Sequence, residues 1–156
     1  MIKNLVISGG GYHVFNIFGI IYQLQKKNIY NIQNIKTIYG VSAGSIIGTM
    51  LCLKMDLNDI LTYIINRPWE KDILIEDPNN ILNLINKNGI FDYNLINIIF
   101  EKLLLSKNLT SDINLLDFYN YSKIDLHISS LSRNNIQLVD FSYKTHPKVK
   151  LINAIH

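Results

Sequence analysis

One cysteine, three prolines and one tryptophan in 156 residues remove several function classes before any motif is read. A lone Cys52 excludes an intrachain disulfide, and without a neighbouring thiol it excludes a cysteine metal site. No Gly-Lys-Ser/Thr tripeptide occurs, so the chain encodes no phosphate-binding P-loop. No His/Asp/Glu grouping has metal-ligand spacing, and no metal is expected. Charge is sparse and nearly balanced: 15 basic against 12 acidic residues give a net +3 spread along the chain. Without a basic stripe there is no footprint for nucleic acid. Of the basic residues only Arg67 and Arg133 are arginine; the abundance of Lys, Ile and Asn reads as the bias of an AT-rich genome. The stretch from Asn4 to Gln25 lacks permanent charge, yet its triple glycine, His13, Asn16 and Gln23 argue against a membrane span. The opening residues read as a strand running into glycines, so no signal peptide is expected, and the implied location is cytoplasmic. At 48% hydrophobic residues the chain can form one sizeable core but not two, and no repeat or linker divides it.

What is present is concentrated in two glycine clusters. Asn4-Leu5-Val6-Ile7-Ser8 has a strand pattern and runs into Gly9-Gly10-Gly11; beyond, Val14, Phe18, Ile21 and Tyr22 follow helical spacing on one face. Some thirty residues on, Ile35 to Tyr39 reads as a short buried strand and Ser45 to Leu53 as the start of an apolar helix. Between them stands Gly40-Val41-Ser42-Ala43-Gly44. A Gly-x-Ser-x-Gly between strand and helix makes a tight turn that exposes the serine hydroxyl at a helix N-terminus, with Gly40 and Gly44 relieving the Cβ clash. Free N–H groups and the positive helix end there favour an oxyanion, so Ser42 reads as a nucleophile. In a parallel sheet both turns fall at one carboxyl edge, where the N–H groups of Gly9, Gly10 and Gly11, with that of Ala43, would face a carbonyl under attack.

The middle of the chain reads as helical. Leu57, Ile60, Leu61, Ile64 and Ile65 keep helical spacing behind a cap at Asp56, and Arg67-Pro68-Trp69 ends that helix. Further helices are expected over Asn80–Asn88 with Gly89 as terminator, from Asp92 to about Ser106, and near Leu115–Tyr119. Two strands follow, near Asp125–Leu131 and Ile136–Tyr143. This order implies a sheet covered by helices, an α/β class. His127 alternates with apolar neighbours and reads as structural, His146-Pro147 as a loop, and Asp125 and Asp140 as surface or cap residues. Trp69 reads as packing against the helix layer, and Cys52 as a small buried side chain.

The two glycine motifs, in this order and at this distance, resemble the patatin-like phospholipase family. The resemblance implies a three-layer α/β fold with a mainly parallel sheet, a Ser–Asp dyad and covalent acyl transfer, with neither a cofactor nor calcium. Gly40-Val41-Ser42-Ala43-Gly44-Ser45 matches the nucleophile motif throughout. Gly9-Gly10-Gly11-Tyr12-His13-Val14 matches the triple glycine, but His13 stands where the family has a fixed positive charge and Val14 replaces a glycine. The family's partner aspartate sits in an Asp-Gly-Gly or Asp-Gly-Ala motif, and no Asp-Gly occurs here. The expectation is therefore one acyl hydrolase domain over 1–156 that lacks its carboxyl-terminal part, with apolar surface exposed near Leu151, Ile152 and Ile155. The implied substrate is a phospholipid or another acyl-ester lipid, met by peripheral contact with a membrane. Two alternatives stand beside it. One is a non-catalytic domain that binds lipid or protein. The other is an α/β-hydrolase triad of Ser42, Asp125 or Asp140, and His156.

Overall fold

The computed structural model describes residues 1–68, 93–132 and 135–156. The apolar run Leu5-Val6-Ile7 makes up most of β1 (Asn4–Ile7), followed by a 3-10 turn at Gly11–His13 and α1 (Val14–Lys26). Phe18 and Ile21 are the buried residues of α1, with Val14 and Tyr22 partly buried beside them, as the 3.6-residue period requires. A second 3-10 turn, Ile32–Asn34, is capped by the Asn31 side chain accepting from the Gln33 N–H. Then come β2 (Thr37–Val41) and α2 (Ala43–Cys52), which starts two residues earlier than the apolar run alone predicts.

Asp56 caps α3 (Leu57–Asn66) by accepting from the Asn58 N–H at 2.7 Å, and Leu57, Ile60 and Ile64 turn inward while Ile65 stays 67% exposed. α4 spans Tyr93–Leu105, and α5 (Leu115–Ser122) is capped by Asn114 and stops at Lys123 in the left-handed region. β3 (Asp125–Leu131), β4 (Leu138–Phe141) and the short α6 (Leu151–Ile155) complete the fold. The helix expected over Asn80–Asn88, its terminator Gly89, the cap at Asp92 and Trp69 lie outside the described residues.

The strands lie in the order β1-β2-β3-β4. β1–β2 and β2–β3 are parallel, with Ile7 beside Gly40 and Val41 beside Ser129; β3–β4 is antiparallel, with Ser129 beside Asp140. A mainly parallel sheet in a mixed α/β chain is what the two strand–turn–helix units required. α2 packs on β1, β2 and β3 and on α1. A Cβ built on Gly48 of α2 would lie 3.0 Å from Ile38 and 3.4 Å from Leu126, which identifies the sheet face that α2 covers. Ile7, Ile38, Leu126 and Ile128 are buried on that face, and all ten residues of α2 are buried against it.

The expected apolar exposure at the end of the chain is not found. Leu151 and Ile152 are fully buried. The Leu115 N–H donates to Val149 O and the Leu151 N–H to Ile113 O, both at 2.9 Å, so the last segment is laced to the start of α5. Exposed apolar side chains are scattered over helices, such as Ile20 and Ile65, and strands, such as Val6, Val41, Leu131 and Leu138. Strand alternation alone reads the strand residues as half-buried, because local sequence does not say whether the second face of a sheet is covered.

Candidate active site

β2 delivers Ser42 to the carboxyl edge of the sheet and α2 leaves from it. Ser42 holds φ 51° and ψ −123°, a backbone conformation that non-glycine residues seldom adopt and that costs on the order of 1–3 kcal/mol. Its neighbours explain how the turn is held. The Ser42 carbonyl accepts from the Ser45 N–H at 2.8 Å and from Ser45 Oγ at 2.6 Å, while Thr49 Oγ1 donates to Ser45 O at 2.8 Å. A Cβ on Gly40 would come within 2.7 Å of Ser45 Cα, so strand and helix approach too closely there for any side chain. Ser42 is exposed at this bend, and Ala43 just behind it is buried.

The first glycine turn lies against the second. A Cβ on Gly44 would fall 2.2 Å from Ile7 O and 2.7 Å from Ser8 O, so the end of β1 rests directly on the first turn of α2. A Cβ on Gly9 would sit 3.4 Å from Ser42 Cβ. The two sequence motifs thus meet at one sheet edge. The Gly10 carbonyl is engaged by the His13 N–H at 2.9 Å, whereas the N–H groups of Gly9, Gly10 and Gly11 have no backbone acceptor among the described residues. At the start of α2 the first N–H groups are unpaired by helix geometry, and they add the positive end of the helix dipole. His13 is exposed, its Nδ1 3.4 Å from Asn16 Nδ2.

Ser42 opens onto a cavity of about 270 Å³. One wall is Ser42, Ala43 and Ile46; the other comes from Ser129 and Ser130 at the end of β3 and from His156. The second wall was missed in sequence analysis apart from His156, because β3 and α6 are brought there by tertiary structure with no local motif. Among the described residues no side chain is hydrogen-bonded to the Ser42 hydroxyl.

Asp125 is nearly buried and not the surface or cap residue that sequence analysis expected, whereas the Asp140 side chain is 39% exposed yet still engaged. His127 Nδ1 meets Asp140 Oδ2 at 2.7 Å, and its Nε2 lies 3.2 Å from Asp125 Oδ1. Lys144 Nζ donates to Asp125 Oδ2 at 2.6 Å, and that carboxylate holds the lysine above its ordinary value. Tyr39 stacks on the His127 ring at 4.6 Å. Asp125 and His127 are nearly buried on the sheet face opposite α2, so this network ties β4 to β3 and does not serve Ser42. The i, i+2 spacing of Asp125 and His127 was the available signal; the third member arrives by cross-strand register. Cys52 is fully buried, and burial pushes its thiol up. Among the described residues no group of three or more His, Cys, Asp or Glu side chains is placed to hold a metal. Within them no helix is long and apolar enough to cross a membrane.

The comparisons with known proteins bear on the family and the fold. The patatin-like phospholipase family model matches residues 5–156. The uncharacterized protein R571 of Acanthamoeba polyphaga mimivirus is 41% identical over 76 residues, which are 49% of this chain and 25% of that protein. Among solved structures, ExoU in its heterodimeric complex with SpcU from Pseudomonas aeruginosa aligns over 99% of this chain and 35% of its own. Its TM-score is 0.60 at 19% identity. VipD from Legionella pneumophila aligns over 98% of this chain and 41% of its own, with TM-score 0.60 at 18% identity. At such identities the two structures establish the fold alone, and this chain spans about two fifths or less of the length of each. With the family model matched over nearly every residue, the chain belongs to the patatin-like phospholipase family.

Proposed function

We propose that this chain carries the nucleophile and oxyanion site of a serine-dependent lipid acyl hydrolase. The observation that carries the reading is an exposed Ser42 at positive φ, at the N-terminus of a buried helix, with Gly9 against its Cβ. Ser42 Oγ attacks the ester carbonyl of a phospholipid or related acyl ester. The N–H groups of Gly10, Gly11 and Ala43, with Gly9 shaping the loop, hold the developing oxyanion. The alcohol leaves and an acyl-serine forms; water then releases the fatty acid and restores the hydroxyl. The proton of Oγ passes to a general base outside the described residues, the place of the family's aspartate. No cofactor enters this chemistry.

A second reading, a non-catalytic domain that binds lipid or protein, is favoured by one observation: among the described residues no carboxylate or imidazole is hydrogen-bonded to the Ser42 hydroxyl, although His156 lines the same cavity. The triad alternative loses support from the commitment of Asp125 and Asp140 to His127, although His156 does line the cavity. Labelling with a fluorophosphonate separates the readings. Slow labelling that Ser42→Ala abolishes supports the nucleophile, and absence of any Ser42-dependent labelling supports the binding domain. Fast steady-state ester turnover by these 156 residues would place the base within them and favour the triad.

A further inference from the structure

The Ser42 cavity is sorted by depth. Among its polar lining residues Ser42, Ser130 and His156 are exposed and Ser129 is half-buried, so these form the mouth. Ile46, Ile96, Ile128 and Ala154 also line it and are only 8%, 2%, 2% and 5% exposed, so they form the floor. The four come from four elements: Ile46 from α2, Ile128 from the face of β3 that α2 covers, Ile96 from α4 and Ala154 from α6. α4 and α6 pack on each other. Ile46 follows Ser42 by one helical turn, its N–H 3.4 Å from the Ser42 carbonyl oxygen, so the apolar floor begins one turn from the candidate nucleophile. Ser45 is the polar residue among the buried lining residues, and its Oγ is already engaged by the Ser42 carbonyl at 2.6 Å. The floor therefore presents hydrocarbon to whatever enters it.

An apolar floor behind a nucleophile at a polar mouth suits the chain of an acyl group, with its carbonyl at Ser42 and the leaving alcohol towards solvent. Volume limits the length of that chain. An apolar cavity of about 150 Å³ takes one benzene, or six carbons. In the same proportion about 270 Å³ takes roughly eleven heavy atoms, an acyl chain of about ten carbons. Ala154 has the smallest side chain of the four on the floor, so a carbon added there takes the room of one chain carbon. We infer that the cavity is an acyl pocket for medium-length chains, up to about ten carbons, and that Ala154 sets the limit. The inference rests on the reading of Ser42 as the nucleophile of a lipid acyl hydrolase, and it narrows the acyl ester which that nucleophile attacks.

The test follows labelling of Ser42 by methoxy alkylphosphonofluoridates, whose alkyl group stands in for the acyl chain. Chains from about six to about sixteen carbons bracket the capacity of the cavity, and each probe is kept below its micelle-forming concentration. Every methylene that enters the floor should raise the labelling rate roughly threefold, and carbons beyond about ten should add nothing. Ala154→Leu enlarges the side chain by about three carbons and should move that break down by about three, with the circular dichroism spectrum retained. Ala154→Val, a smaller insertion, should move it by about two and serves where the leucine variant does not fold. The parent profile decides the length whatever the variants do. A rate that climbs steadily to the longest chain, or one indifferent to length, would overturn the acyl pocket. A break that stays in place in a folded Ala154 variant would overturn the role of Ala154. Should the break instead follow the alkoxy chain of methylphosphonofluoridates, the cavity holds the leaving alcohol and the inference is wrong. Absence of Ser42-dependent labelling at every length would sink the nucleophile reading and this inference with it, whereas Ser42-dependent labelling without a break sinks this inference alone.

Discussion

Gly44→Ala and Gly19→Ala are the same chemical change in two helices, and the structure gives them opposite signs. In a helix interior alanine is favoured over glycine by about 1 kcal/mol, and the less flexible unfolded chain adds to that preference. At Gly19, midway along α1, a Cβ meets nothing within 4 Å, so the full gain should appear. At Gly44 the new Cβ would sit 2.2 Å from Ile7 O and 2.7 Å from Ile7 C and Ser8 O, inside the 3.0 Å below which real Cβ contacts are essentially never found. All three obstacles are backbone, and no rotamer change can relieve them. Overpacking of this kind costs roughly 3 kcal/mol, which after the ~1 kcal/mol propensity gain leaves a net loss of about 2 kcal/mol. In a chain of this size that lowers Tm by about 4–8 °C, while Gly19→Ala raises it by about 2–4 °C. Urea unfolding followed by circular dichroism reads both. Relief of the clash must also push the end of β1 away from α2, so Ser42 labelling should fall in Gly44→Ala even where the protein stays folded. A Gly44→Ala protein as stable as the parent would refute the claim that β1 rests on the first turn of α2.

Tyr30 is buried and among the described residues its hydroxyl has no hydrogen-bond partner, and burial pushes its pKa up to about 12. A phenol that ionises later in the folded chain than in the unfolded one leaves stability intact below pH 10 and erodes it as pH rises from 10 towards 12, by on the order of 2 kcal/mol. Tyr30→Phe should therefore gain about 1 kcal/mol at pH 8, where an orphan hydroxyl is removed, and should lose less than the parent by pH 11; identical alkaline curves would contradict this. Ser45→Ala removes one of the donors on the Ser42 carbonyl and should cost about 1 kcal/mol in urea unfolding. It should also slow fluorophosphonate labelling, and an unchanged rate would show that the bend does not need Ser45 Oγ. Cys52, buried and with its thiol pushed up, should react with iodoacetamide only at the rate of unfolding; fast labelling of the native chain would count against the packing of α2.

The two strand–glycine–helix units were legible in the sequence because local periodicity and punctuation suffice for them. Val14, Phe18 and Ile21 declare the face of α1, and Gly40 to Gly44 declare the bend. Asp56 and its helix were equally plain, since a cap and an apolar stripe agree. The His127 network was not legible as a unit, because Asp140 joins it through the pairing of β4 with β3, a register that no residue in either strand announces. The burial of Leu151 and Ile152 escaped for a similar reason: the lacing to Ile113 and Val149 is tertiary. The exposure of Val6, Leu131 and Leu138 also eluded the pattern, which distinguishes two faces of a strand but not which of them meets a neighbour.

The complete burial of α2 has a consequence for how such a cavity can change. Every residue of that helix is buried, and Gly40 and Gly44 are wedged against backbone, so the half of the cavity that bears Ser42 behaves as an anvil. Adjustment to a longer, shorter or bulkier acyl group has to come from the opposing half, the serine pair ending β3 and the last turn of α6. Substitutions at Ser129, Ser130 and Ile155 should then retune which ester fits while leaving the attack geometry alone, whereas substitutions along α2 should change both together or neither. One side of the cavity keeps time, and the other sets the gauge.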